Sequence, residues 1–129
     1  MADAGLLLTV DSYTIQQSDL TNQLSDIMTS ITRASQESTS ILQKTSDERA
    51  AVAKKDTVGS DQYNADMGAI DDEYKVKLAE VNEWETELEN QKEELQTQIE
   101  AISAYKDSFQ AALKQNVQSD YKFGGSGSS

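Results

Sequence analysis

The densest carboxylate cluster in the chain is Asp71-Asp72-Glu73, and Glu83 and Glu87 follow one helical turn apart. Carboxylates at such density can hold calcium or, in pairs, move a proton. Calcium asks for a loop of alternating oxygen ligands that turns about a central glycine. This cluster lies inside a helical stretch and reads as a solvated acidic face. Glu83 and Glu87 share a face, but nothing apolar surrounds them to drive their acidities apart. The chain has no His and no Cys. The usual zinc, copper and iron ligands are therefore missing, and its many Ser and Thr hydroxyls have no imidazole to activate them. A Ser–Lys pair needs a pocket that desolvates the lysine, which long exposed helices do not supply. No glycine loop for cradling phosphate is present. The expectation is a chain that is not an enzyme and uses no cofactor and no metal.

The elements that position these residues are two helices. The chain has 129 residues and no proline, and three of its six glycines fall at Gly124, Gly125 and Gly127. Nothing in its body forces a helix to stop. From Leu6, alternating steps of four and three pass Val10, Tyr13, Gln17, Leu20, Leu24, Ile27, Ile31, Ala34, Ser38 and Ile41, then Thr45, Glu48 and Val52. The second half repeats the pattern. One heptad position reads Met67, Tyr74, Val81, Leu88, Leu95, Ile102, Phe109. Its companion reads Asp71, Leu78, Glu85, Lys92, Ile99, Lys106, Leu113. Such seams keep one stripe of each helix against a partner. Helices of this length span roughly 60–75 Å at 1.5 Å per residue. Gln17, Ser38, Glu85, Lys92 and Lys106 interrupt the seams. Long side chains there can reach out of a shallow seam, or such groups can fix register.

Between the halves lies Lys54-Lys55-Asp56-Thr57-Val58-Gly59-Ser60-Asp61. Gly59 suits a left-handed turn, Ser60 or Asp61 can cap the second helix, and Lys54 and Lys55 suit a helix C-terminus. The spacing predicts an all-α, antiparallel two-helix coiled-coil hairpin, assembled into a larger bundle or filament. It forms one domain over residues 1–123, with helix one about 6–54, a turn about 55–61 and helix two about 62–120. Residues 124–129 read as a flexible Gly/Ser tail and are set aside.

Charge narrows the partners. The net charge is −12, and residues 61–129 hold fifteen acids against six bases. That balance argues against nucleic acid and anionic membrane surfaces, which need clustered bases. No run is long enough to span a bilayer. The opening Met1-Ala-Asp-Ala lacks a basic n-region, and Leu6-Leu7-Leu8 is too short for a secretory signal core.

Apolar residues spill beyond the seams. Leu7, Met28 and Leu42 flank the first. Ile70, Trp84, Tyr105 and Ala112 flank the second. A two-helix seam cannot cover a flank as well, so a second contact surface is expected. A hairpin also gathers Leu6, Leu7, Leu8 and Val10 with Val117, Tyr121 and Phe123 at the end that carries both termini, an apolar patch on an acidic chain. From Thr9 to Ser46 the outer positions are mostly Ser, Thr, Gln and Asn, a face that can meet copies of itself without charge repulsion. The acidic outer face of the second helix, at Glu80, Glu83, Glu87 and Glu94, then points to water.

The Ser/Thr/Gln-rich first helix and the apolar ends Leu6–Val10 and Tyr121–Phe123 resemble, in layout, the filament subunits of type III export: flagellin end regions, needle subunits and sheath subunits. The stretch Gln98-Ile-Glu-Ala-Ile102, followed by Asn116-Val117 and Tyr121-Lys-Phe123, is similar to the C-terminal helix of short bacterial hairpin proteins. Val58-Gly59 stands where needle subunits carry a proline-bearing turn. The resemblance implies a secreted bacterial structural subunit, exported without a cleaved signal into an extracellular filament. Its partners would be copies of itself, with export machinery or another coiled-coil protein as further partners. The competing expectation is a soluble coiled-coil adaptor or holding chaperone that binds another protein's helices.

Overall fold

A computed structural model describes the backbone of residues 2–127 and the side chains of residues 4–119. The chain is an all-α helical hairpin. Helix α1 spans Ala2–Lys55 and helix α2 spans Asp61–Gly127, reaching into the Gly/Ser tail. No strand occurs among the described residues.

Polar β-branched residues are poor helix formers, yet α1 is helical through a Thr-rich segment. The threonines reconcile this locally. The hydroxyls of Thr9, Thr14, Thr21, Thr32 and Thr39 each donate to the carbonyl four residues back, at 2.8–3.2 Å. Thr86 and Thr97 do the same in α2. The hydroxyl is satisfied on its own helix and offers the backbone no alternative to it.

The turn follows from three residues. The Ser60 amide donates to the Thr57 carbonyl at 3.0 Å, which closes a β-turn over Val58 and Gly59. Gly59 has φ 83°, the sign a type II turn requires at its third position. The Ser60 hydroxyl accepts from the Tyr63 amide at 3.2 Å, so Ser60 is the N-cap of α2. Lys54 and Lys55 occupy the last turn of α1 and Asp61 the first turn of α2, both favourable against the helix dipoles.

The chain divides into two compact units, each built from both helices. One contains the turn, residues 27–91. The other joins residues 1–26 to 92–129. In the turn unit the core is Ala34, Ile41, Val81 and Leu88, with Thr45 buried beside them. In the terminal unit Val10 is buried. There Tyr13 stacks on Tyr105 at 6.0 Å and tilts against Phe109 at 5.7 Å. Every position of the heptad seams read from the sequence, in both helices, is buried or half-buried. The polar seam residues Gln17, Ser38, Glu85, Lys92 and Lys106 are all half-buried.

Candidate functional site

The carboxylate cluster is largely taken up by neighbouring bases. Arg49 on α1 pairs with Asp71 on α2. Lys77 pairs with Glu73 one turn back, at 2.7 Å. The hydrogen bond from Lys77 holds the Glu73 carboxyl below its ordinary range, and the same bond raises Lys77. Glu83 and Glu87 are exposed. Among the described residues no group of three or more acidic, His or Cys side chains is arranged to hold a metal ion.

A cleft of ≈ 280 Å³ lies in the turn unit, floored by Ile41, Thr45, Tyr74 and Val81 and rimmed by Lys44, Glu48, Glu73 and Lys77. Its charges alternate in sign along the rim. Of these charges, Lys77 and Glu73 pair with each other.

A closer pair of acids sits beside the turn. Asp56 and Asp66 face each other, and one oxygen of Asp56, Oδ2, is shut off from solvent without a hydrogen-bond partner while both acids are charged. A single proton held between the two carboxylates would complete that contact. Sharing with Asp66, and then burial, raises Asp56 above its ordinary value. Asp66 is held low by Asp56 and by Gln62, whose amide donates to it at 2.8 Å. The sequence gives little sign of this pair: its members stand ten positions apart with the turn between them, and each alone looks like an ordinary surface acid.

The apolar candidates divide. In the terminal unit Leu7 is 50 % exposed, Leu8 70 %, Val117 52 % and Tyr105 57 %. Leu6 is half-buried. Val10 is covered within the chain and offers nothing to a partner. Tyr105 keeps much of its ring in water although it packs on Tyr13. Tyr121 and Phe123 lie outside the side chains described. In the turn unit Met28, Leu42 and Trp84 are exposed, and Ile70 is half-buried in the wall of the cleft.

Three exposed apolar residues escaped the sequence reading: Ile15 at 63 %, Val58 at 70 % and Val76 at 58 %. Ile15 was findable, because it follows Leu8 by seven residues and so repeats its heptad position. Val58 heads the turn, where periodicity carries no information.

The terminal unit also has a shallow groove, between Gln16, Leu20 and Gln23 of α1 and Gln98, Ala101 and Ile102 of α2. No helix among the described residues is long and apolar enough to cross a membrane. Comparison of the chain with protein-family models, with curated proteins and with solved structures finds no match.

Proposed function

We propose that the chain is a structural subunit that assembles with copies of itself, through its helical faces and apolar ends, into a filament, and that it performs no catalytic step. The observation that carries this reading is the thinness of the core. No large side chain among the described residues is fully buried. Two helices leave most seam residues only half-buried. Full burial of a large apolar side chain is worth roughly 1.5–3 kcal/mol. Leu7, Leu8, Ile15, Met28 and Leu42 on α1 alone leave that driving force unused. Exposed apolar residues recurring along a helix mark a contact surface.

The opposing force is charge. Each copy carries −12, so assembly has to overcome mutual repulsion. Salt weakens that repulsion, because the screening length falls to about 8–10 Å near physiological strength. Export into an extracellular filament belongs to the same proposal and rests only on the resemblance in sequence layout to type III export subunits.

Light scattering over a salt and mild-acid series tests the reading, with negative-stain microscopy at each point. Scattering that climbs with salt and with acid, accompanied by filaments, is expected. Flat scattering across the whole series overturns it.

A further inference from the structure

We infer that the outer edge of α1 in the terminal unit is the docking strip for α2 of a second copy of this chain, laid antiparallel with Asp11 against Lys114. The inference rests on the self-assembly proposed above and names the faces that meet.

Asp11, Ser18 and Ser25 stand seven residues apart on α1, and all three are exposed. Glu100, Asp107 and Lys114 form an equally spaced, exposed column on α2. Seven residues are close to two helical turns, so each set is a straight line of side chains with the same pitch. Neither Asp11 nor Lys114 has an ion-pair partner among the described residues.

The charges favour one direction and register over the arrangements that bring acids together. Antiparallel, with Asp11 opposite Lys114, the remaining matches are Ser18 with Asp107 and Ser25 with Glu100. The one base meets an acid, and Asp107 meets the Ser18 hydroxyl, which can donate to it. In the parallel direction Asp11 falls on Glu100. Sliding the antiparallel register by one heptad puts Asp11 on Asp107. Like charges brought together this way are strongly disfavoured at an interface.

Apolar residues fall into the same register. Leu7 precedes Asp11 by one turn, and Val117 follows Lys114 by one turn. In the antiparallel arrangement the two come together, and both are about half exposed in the single chain.

The partner is a second copy because the matching column is the chain's own. The strip is small. A standard interface uses about 20–30 residues a side, and these edges supply fewer, so one contact is weak. An α1 edge that takes a neighbour's α2 leaves its own α2 edge free for a third copy. A contact of this unlike-to-unlike kind propagates into an open filament, and repetition compensates for its weakness.

Charge reversal tests the pairing on the full chain, read by sedimentation equilibrium. Asp11→Lys and Lys114→Glu are each expected to weaken self-association at least about tenfold. The double variant is expected to recover to within about threefold of the parent. Asp19→Lys is the control, since it makes the same charge change on the side of α1 that lines the groove. It is expected not to weaken association, because it lowers the net repulsion. Circular dichroism confirms that these exposed substitutions leave the helices intact. If Asp11→Lys behaves like Asp19→Lys, or the double variant shows no recovery, this pairing is wrong while self-assembly by another face stands. If the parent chain is monomeric throughout, as it would be were the strip kept for a different protein, self-assembly itself fails and the pairing with it.

Discussion

Tyr13 on α1 stacks on Tyr105 on α2 with ring centroids 6.0 Å apart and planes 21° from parallel. Tyr13 sits in the seam, whereas Tyr105 sits beside it, so the contact carries a flank residue into the internal packing. Aromatic pairs contribute roughly 0.5–1.5 kcal/mol beyond the area they bury. Tyr105→Ala is therefore expected to cost at least about 0.5–1.5 kcal/mol in urea unfolding of the dilute chain, since the buried part of the ring is lost as well. An unchanged midpoint would mean that the stack contributes nothing in solution.

Two glycines should respond to alanine with opposite signs. Gly59 has φ 83° and open space around its missing Cβ, so any penalty there is backbone strain alone. Left-handed geometry costs a residue with a Cβ roughly 1–2 kcal/mol, and Gly59→Ala should destabilise by that amount. Gly68 lies within α2, also in open space. Gly68→Ala should stabilise by about 0.5–1 kcal/mol, since glycine weakens a helix interior. Thermal unfolding of the two variants side by side gives both signs.

Ala34 is wholly buried, at 0 % exposure, in the seam of the turn unit. A small residue at that point lets the helices approach. Ala34→Leu forces extra volume between them and is expected to cost about 1–3 kcal/mol. Thermal denaturation that leaves this variant as stable as the parent would show that the seam has room to spare.

The Asp56–Asp66 pair makes the turn sensitive to acid. Asp56 is raised by sharing a proton with Asp66, so its contribution is present at low pH and is lost as pH rises through its raised value. Asp66 is lowered, so its contribution is present above the ordinary value of 3.8 and is lost as pH falls through the lowered one. The turn is therefore firmest between the two, where the pair holds one proton. Asp56→Asn supplies a permanent donor to Asp66. It should stabilise the hairpin at neutral pH and lose that advantage near the ordinary carboxylate value. Denaturation across this range checks the sign, and a benefit independent of pH would contradict the shared proton.

The parts of the fold legible in the sequence are those set by periodicity. Leu20, Ile27 and Ile41, or Val81 and Leu88, announce their stripe because a helix repeats every 3.6 residues and apolar side chains follow that repeat. Gly59 and Ser60 mark the turn because only a few residue types suit its geometry. Contacts across the hairpin were less legible. The partnership of Arg49 with Asp71 depends on the register between two helices, which neither stripe states. The same holds for Tyr13 with Tyr105. Val10 shows a further limit: its place in the apolar N-terminal run suggested an attachment point, and its place in the seam buries it.

Sedimentation equilibrium of the unmodified chain, at high concentration in moderate salt, tests self-assembly most directly. A mass that climbs steadily above the 14.2 kDa of one chain as concentration and salt increase is the expected result. A single species that stays at 14.2 kDa under every condition would contradict it.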